Sequence, residues 1–270
     1  MPGDLSPEID SGVADVLRID DYLAGGTANF AVDRVVAQHA FAGYPGGLDG
    51  ARHAVRAHRS FRRRAVAHLA VEAGARQFLD LAPGIPAGAS TNDVARAVAP
   101  GARVVTVDHD PMVLAHAHRF VGAGPPGTAA FVPADLHDPP AVLSRAAATL
   151  DLARPVAVLL VGALQRVPVD ADAEAIVAGI AGGLAAGSWV VLSHLTADVG
   201  AFAGPAAELG RSAHGRLVLR SRAQIERLLA GLEPVPPGVV PVDDWHPATD
   251  RSPPADLPAT PALAAVGQVR

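Results

Sequence analysis

The sequence contains no cysteine, few aromatic residues (4%) and no apolar stretch of membrane-spanning length. Without cysteine the chain forms neither disulfides nor thiolate zinc sites, and it has no thiol nucleophile. The formal net charge of -5 argues against a general nucleic-acid binder, because such proteins carry a basic excess. The stretch Met1–Asp15 is acidic, unlike a secretory signal. We therefore expect a cytoplasmic protein with no nucleic-acid or membrane partner.

The chain is rich in residues that form a core. Half of its 270 residues are hydrophobic and 18% are charged, which excludes a mainly disordered protein. Its first third shows helical spacing only, and the expected helices cover residues 13–23, 29–40 and 49–73. Because no strands alternate with these helices, we predict a helical N-terminal cap or lid over residues 1–74. Residues 75–270 are predicted to form an α/β domain.

From Arg76 the pattern alternates between short apolar runs and helical stretches. The predicted strands are Gln77–Leu81, Arg103–Val107, Ala129–Pro133, Val156–Val161 and Trp189–Ser193. Several of these runs are almost wholly apolar, as expected for a parallel sheet that is covered by helices on both faces. The sequence thus predicts a doubly wound domain that binds ligands beyond the carboxyl ends of its strands. The final run, Leu263–Val269, is expected to add an edge strand.

The first predicted strand leads into a turn that contains proline and glycine. Asp80 lies near the end of the strand, Gly84 lies in the turn, and Ser90–Asp93 introduces a helix. A strand, a glycine-containing loop and a helix in succession commonly hold a nucleotide-like ligand. Only the middle glycine of the dinucleotide motif is present, and the triphosphate-binding motif G-x-x-x-x-G-K-[ST] is absent. A cofactor without phosphates therefore fits better.

Three acids mark the ends of the first three predicted strands: Asp80, Asp108 and Asp135. Asp108 follows Gly84 by about two dozen residues, where an acid accepts hydrogen bonds from the hydroxyls of a ribose. Asp135 is placed to receive an adenine amino group. A single acid at a strand end is more often a helix cap or a loop residue. The ordered set favours a nucleoside cofactor.

The spacing of these residues resembles that of class I S-adenosylmethionine-dependent methyltransferases. The pattern consists of Asp80-x-x-x-Gly84, Val107-Asp108 and Ala134-Asp135. Longer segments are similar to one subgroup, the S-adenosyl methyltransferase family, formerly classed as a domain of unknown function. These segments are Arg18–Arg34, Gln77–Asp80, Val107–Ala117, Arg154–Val161, Ser193–Asp198 and Val235–Pro247. The similarity extends over roughly residues 14 to 270.

This resemblance implies a Rossmann-like class I methyltransferase sheet, seven-stranded and mostly parallel, with a helical N-terminal cap. It implies S-adenosyl-L-methionine or S-adenosyl-L-homocysteine as the cofactor. The implied cofactor-binding residues are Tyr22, Gly26, Asn29, Asp80, Ala82, Gly84, Asp108, His109, Asp135 and Leu136. The backbone near Ala82–Gly84 would face the methionine part, Asp108 the ribose and Asp135 the adenine. The cap segment Tyr22–Arg34 would close over the sulfonium.

The sequence departs from the family pattern at several positions near the implied pocket. Ala82 replaces the first glycine of the loop. An alanine is tolerated at this position if its φ is negative. Thr27-Ala28 replaces a Lys-Asp pair, Gln165 replaces a histidine, and His58 stands where asparagine is common. These changes fit either an altered substrate or a protein that kept the fold without methyl transfer.

Methyl transfer to oxygen or nitrogen needs an in-line approach and often a base. His194, just past the fifth predicted strand, is the favoured base. Gln165 follows the fourth strand and His58 lies on the long cap helix, so both are further catalytic candidates. Each of the three has an ordinary structural alternative, in a turn, a loop or a helix surface. The histidine pairs lack convincing metal-ligand spacing, so we expect no metal site.

Our first hypothesis is a methyltransferase that acts on a small molecule, with secondary metabolism as one setting and a homodimer as one allowed assembly. A second hypothesis is an enzyme with the same fold that catalyses a cyclisation, an elimination or a rearrangement. A third is a non-catalytic protein that binds S-adenosylmethionine.

Overall fold

The computed structural model of the protein describes residues 9–122, 124–199, 201–246 and 259–270. Its strands are β1 (Ala14–Asp15), β2 (Gln77–Leu81), β3 (Arg103–Asp108), β4 (Ala129–Pro133), β5 (Ala157–Val161), β6 (Trp189–Leu195), β7 (Ala213–His214), β8 (Glu233–Pro234), β9 (Val240–Pro241) and β10 (Ala262–Gln268). Its helices are α1 (Val16–Leu23), α2 (Ala31–Ala40), α3 (Gly47–Val71), α4 (Thr91–Val98), α5 (Pro111–Leu114), α6 (His118–Val121), α7 (Pro139–Ala146), α8 (Asp170–Gly182), α9 (Ala203–Ser212) and α10 (Arg222–Leu228). A 3-10 helix covers Leu164–Arg166.

The central sheet contains eight of the described strands, in the order β4-β3-β2-β5-β6-β10-β8, with β9 also paired to β10. Strands β2 to β6 run parallel, and β10 is antiparallel to β6. The two short strands β8 and β9 both pair with β10, at different points along it, and together occupy a seventh position in the sheet. The predicted α/β architecture with a mostly parallel sheet is confirmed. The expected edge position of the last strand is wrong, because β10 lies between β6 and these short strands.

The N-terminal helices share an apolar core with the sheet. Along α3 the buried residues Phe61, Ala65 and Leu69 recur at intervals of four, which places them on one face of the helix. They belong to the same buried cluster as Phe78 of β2 and Val104 of β3. The separate status of residues 1–74 as a cap stays a prediction. No helix in the described ranges is both long and apolar enough to span a membrane.

A buried ion pair joins α1 to α2. Nε of Arg18 lies 2.9 Å from Oδ2 of Asp33, and the two side chains are 6% and 0% exposed. The Asp33 carboxylate also accepts hydrogen bonds from the backbone N–H groups of Asp15 and Phe30, at 2.9 and 2.7 Å. One carboxylate thus fixes both the beginning of α1 and the beginning of α2.

The loop after β2 turns through two residues with positive φ. Ala82 has φ 48° and Gly84 has φ 76°. The backbone N–H of Ala82 donates to the carbonyl of Val107 at 2.8 Å, which anchors the turn to β3. The negative φ that would suit an alanine here is therefore not found. A side chain with a β-carbon costs about 1–2 kcal/mol in the left-handed region.

We expect Asp33→Ala to lower the free energy of unfolding by about 3 kcal/mol, because it leaves the buried guanidinium of Arg18 without its carboxylate. Chemical denaturation measures the change. Asp49→Ala is the matched control, since Asp49 forms an exposed pair with Arg52 and its loss should cost less than about 1 kcal/mol. Equal effects of the two substitutions would contradict the importance of the buried pair.

We expect Ala82→Gly to raise the free energy of unfolding by about 0.5–1 kcal/mol, the relief of strain exceeding the extra chain entropy of glycine. The same substitution at Ala147, where φ is -60°, should lower it by about 0.5 kcal/mol. Thermal and chemical denaturation of both variants provide the measurement. A destabilised Ala82→Gly variant would show that the methyl group contributes more through packing than it costs in strain.

Candidate functional site

Two cavities meet at the carboxyl end of the parallel strands. We call the first the apolar cavity, with a volume of about 120 Å³, and the second the acidic cavity, with a volume of about 230 Å³. Ala82 and Arg166 line both of them. The loop after β2 and the 3-10 helix after β5 therefore form the boundary between the cavities. This is the end of the sheet at which ligands were expected.

Asp108 is the most buried acid of the acidic cavity, at 3% exposure. Its Oδ1 accepts hydrogen bonds from the backbone N–H groups of His109 and Asp110, at 2.8 and 3.0 Å. Its Oδ2 is buried and has no hydrogen-bond partner among the described residues. Burial raises the pKa of the Asp108 carboxyl above its usual value. The end of β3 thus presents a fixed carboxylate with one oxygen left to accept.

Three further residues predicted to bind the cofactor line the acidic cavity: His109, Asp135 and Leu136. Oδ1 of Asp135 accepts from the backbone N–H of His137 and lies 2.9 Å from its Nδ1. Partial burial would raise the pKa of Asp135, but the hydrogen bonds from His137 outweigh it and lower that pKa below its usual value. Leu136 is buried and His109 is exposed. The cavity therefore combines an ionised rim with an apolar surface.

Asp80 lies beneath the loop and is absent from the lining of both cavities. Its Oδ2 accepts a hydrogen bond from Oγ1 of Thr91 at 2.7 Å and lies 3.9 Å from Nη1 of Arg62. Burial raises the pKa of Asp80. Its contacts connect β2 to α3 and α4. They give Asp80 a supporting position, whereas Ala82 and Gly84 line the apolar cavity directly.

The apolar cavity is enclosed largely by hydrocarbon side chains from α1, α3, α9 and the segments beside them. These include Ile19, Leu23, Phe41, Val55, Leu195 and Phe202. Its charged groups are mostly paired. Nη2 of Arg59 lies 2.7 Å from Oδ2 of Asp20, and Arg62 faces Asp80. The enclosure therefore suits a small and mainly apolar ligand.

The catalytic candidates His58 and Gln165 are brought together at one end of the apolar cavity. Nδ1 of His58 lies 3.1 Å from Oγ of Ser193, and burial lowers the pKa of His58 to about 4. Nε2 of His58 and Oε1 of Gln165 are buried, and within the described ranges neither has a hydrogen-bond partner. A β-carbon added to Gly162 would lie 3.6 Å from Gln165 and 3.8 Å from His58, so one glycine adjoins both side chains.

His194 is not brought to either cavity. It is fully buried in β6, where its Nδ1 lies 2.7 Å from the carbonyl oxygen of Leu195 and its Nε2 lies 2.7 Å from Nη1 of Arg220. Because a guanidinium can only donate, Nε2 accepts and the ring hydrogen lies on Nδ1. Burial lowers the pKa of His194 to about 4. The expected role as a base is not supported, since the one acceptor nitrogen is already occupied.

Three residues predicted to bind the cofactor do not line the two cavities: Tyr22, in the last turn of α1, and Gly26 and Asn29, between α1 and α2. Nδ2 of Asn29 donates to Oδ2 of Asp21 at 2.8 Å and to the carbonyl of Gly26 at 3.0 Å. A β-carbon on Gly26 would lie 1.9 Å from Oδ1 of Asp21. The guanidinium of Arg52 lies 5.6 Å from the ring centre of Tyr22. Their contact with the cofactor stays a prediction.

Two residues of the site were missed from the sequence: Ser193 and Arg62. Ser193 interrupts the apolar run of β6, and a lone hydroxyl in such a run is a usable signal. Arg62 lies in the run Arg62-Arg63-Arg64, and such a basic run on a helix is more often a solvated face. Its burial depends on α3 lying against the sheet. In the described part of the chain no group of three or more His, Asp or Glu residues is arranged to hold a metal ion.

Comparison with known proteins gives consistent results. A family model described as S-adenosyl methyltransferase matches residues 2–270. A crystal structure of a DUF574 family protein from Streptomyces avermitilis is 35% identical, covers 97% of this chain and 100% of its own, and has a TM-score of 0.87. A structure of a candidate methyltransferase from Thermobifida fusca is 32% identical, covers 99% and 97%, and has a TM-score of 0.83.

More distant structures share the fold. An O-methyltransferase family protein from Burkholderia thailandensis is 18% identical, covers 82% of this chain and 58% of its own, and has a TM-score of 0.50. The curated proteins include no significant match. Because the family model and two relatives above 30% identity span almost the whole chain, this protein belongs to the S-adenosyl methyltransferase family, with a class I Rossmann-like fold and S-adenosylmethionine or S-adenosylhomocysteine as its cofactor.

Proposed function

We propose that the protein transfers the methyl group of S-adenosylmethionine to a small, mainly apolar molecule. The observation that carries the proposal is that Asp108 lines the acidic cavity and that its buried Oδ2 has no hydrogen-bond partner in the part of the chain that the structure describes. That cavity meets the apolar cavity at Ala82 and Arg166. A cofactor in the first and a substrate in the second would therefore be neighbours across this boundary.

The residues of the acidic cavity fit the nucleoside part of the cofactor. A buried acceptor left without a hydrogen bond costs about 1–3 kcal/mol, and a ribose hydroxyl would supply the missing donor to Asp108. Oδ1 is already held by two backbone N–H groups, so the carboxylate is fixed before a ligand binds. Asp135 offers a second carboxylate for the adenine amino group, and Leu136 an apolar surface for the ring. When bound, the cofactor supplies a methyl group activated on a sulfonium.

Arg166 is our candidate for the carboxylate of the cofactor's methionine part. Among the described residues no carboxylate lies within salt-bridge distance of it, whereas Arg59 is paired with Asp20 and Arg62 with Asp80. Its guanidinium makes one long hydrogen bond, 3.4 Å, to the carbonyl of Ala82. A weakly engaged cation on the boundary of both cavities is well placed for an anionic group.

The size and the lining of the apolar cavity support a small substrate. About 120 Å³ of space surrounded by side chains such as Ile19, Phe41 and Phe202 does not admit a folded macromolecule. We further propose that residues 1–74 act as the lid that holds this substrate in place, since α1 and α3 provide part of its walls. The cytoplasmic location, the role in secondary metabolism and the homodimer stay predictions.

We expect Asp108→Asn to weaken the binding of S-adenosylhomocysteine by about tenfold or more, because the amide keeps an acceptor for the backbone but replaces Oδ2 by a donor. Isothermal titration calorimetry measures the affinity. Asp138→Asn is the matched control: Asp138 caps α7 by accepting a hydrogen bond from the backbone N–H of Ala141 and is not in the cavity lining, so the affinity should not change. An unchanged affinity in Asp108→Asn would contradict the ribose assignment.

Mass spectrometry of incubations with S-adenosylmethionine and a panel of small apolar molecules then tests transfer itself. A product in which one hydrogen of the substrate is replaced by a methyl group, and which is therefore heavier by CH2, supports the proposal. Failure of the unaltered protein to bind S-adenosylmethionine or S-adenosylhomocysteine would reject it. Tight binding without any methylated product would favour the non-methylating enzyme or the non-catalytic protein.

A further inference from the structure

His58 and Gln165 both line the apolar cavity, and each has a buried polar atom without a hydrogen-bond partner in the described part of the chain: Nε2 of His58 and Oε1 of Gln165. Each such atom costs about 1–3 kcal/mol when it is buried unpaired. Both side chains adjoin Gly162: a β-carbon there would lie 3.6 Å from Nε2 of Gln165 and 3.8 Å from Nδ1 of His58. A ligand group that pairs with both atoms would recover this free energy at one place in an otherwise hydrocarbon wall.

Ser193 determines which ring nitrogen of His58 carries the hydrogen. It is fully buried in β6, and the one hydrogen-bond contact of its hydroxyl group in the described structure is Nδ1 of His58, at 3.1 Å. A buried hydroxyl hydrogen needs an acceptor, so we assign the Ser193 hydrogen to Nδ1. The ring hydrogen of His58 then lies on Nε2, which becomes a donor. Oε1 of Gln165 is an acceptor, so this end of the cavity presents one donor and one acceptor.

The pair is electrically neutral. Burial lowers the pKa of His58 to about 4, so the imidazole is uncharged near pH 7. The neighbouring charges are largely engaged, since Arg59 lies on Asp20 and Arg62 faces Asp80. A carboxylate ligand has no hydrogen for Gln165, and an ammonium ligand has no lone pair for Nε2–H of His58. A neutral hydroxyl group has both.

We propose that His58 and Gln165 form a subsite for the neutral hydroxyl group of a small and otherwise apolar substrate, an alcohol or a phenol. Ser193 is the positioning residue that fixes the hydrogen of His58. This inference rests on the proposed function in one respect: it takes the bound molecule to be the acceptor of the methyl group. The subsite itself is a property of the apolar cavity and can be tested without methyl transfer.

The experiment compares phenol with toluene, two probes of nearly equal shape that differ in the hydroxyl group. Calorimetry or ligand-observed NMR, on protein saturated with S-adenosylhomocysteine, gives the ratio of the two affinities. We expect Gln165→Leu to lower the phenol-to-toluene ratio by about tenfold, and His58→Phe to lower it similarly, because each removes one hydrogen-bonding atom. Leu217→Val, a change in the apolar wall of the same cavity, should alter both affinities alike and keep the ratio.

Two further readouts separate the outcomes. The ¹⁵N spectrum of the imidazoles should show His58 neutral at pH 7 with its hydrogen on Nε2; a hydrogen on Nδ1 would overturn the donor assignment. Benzoate and benzylammonium should bind more weakly than phenol. Benzoate that binds more tightly, and loses that advantage in Arg166→Met, would replace the hydroxyl subsite by an anion site.

The same samples report on the cofactor. Variants that bind S-adenosylhomocysteine as the unaltered protein does, yet keep the phenol-to-toluene ratio, would reject the subsite and leave the proposed function intact. The opposite outcome is also informative. If the unaltered protein does not bind S-adenosylhomocysteine, but the phenol-to-toluene ratio falls in Gln165→Leu, the proposed function is rejected and the subsite is supported. In that case the titrations are made on the protein alone.

Discussion

A single buried carboxylate, that of Asp80, holds together the elements that surround both cavities. It is 1% exposed, accepts a hydrogen bond from Thr91 at the beginning of α4, and faces the guanidinium of Arg62 on α3. A buried charge without such partners would cost several kcal/mol, so β2, α3 and α4 are constrained to meet there. The loop that contains Ala82 and Gly84 connects β2 to α4, so both of its ends are held in place by the contacts of Asp80. The boundary of the two cavities therefore depends on a contact that lies outside both linings.

Much of the sheet could be predicted from local pattern, since buried parallel strands are short apolar runs. β2 and β4 have the predicted bounds, and β3 and β5 differ by one residue. The end of β6 was not predicted, and this difference changes the environment of His194. β6 continues to Leu195, two residues further than expected, because β10 pairs with it there: Leu263 lies opposite His194 and Ala262 opposite Leu195. A long-range pairing thus put His194 inside a strand and against Arg220, which no local pattern records.

The same distinction applies to the site. Acids at strand ends follow a local rule, so Asp108 and Asp135 could be placed beside a common cavity from spacing alone. Which oxygen of Asp108 stays free could not, because it depends on the backbone path through His109 and Asp110. The contact of His58 with Ser193 joins residues 135 positions apart, on a helix and a strand whose packing sets the distance. Composition gives the residue types; the tertiary fold selects their partners.

Ala82 and Arg166 belong to the walls of both cavities, and this shared boundary has a thermodynamic consequence. A ligand in one cavity that shifts either residue changes the free energy of binding in the other. Linkage requires the effect to be reciprocal: the factor by which the first ligand alters the affinity of the second equals the factor in the opposite direction. A ligand that moves neither Ala82 nor Arg166 would leave the affinity of the other cavity unchanged, so any coupling has to pass through one strained backbone turn and one guanidinium.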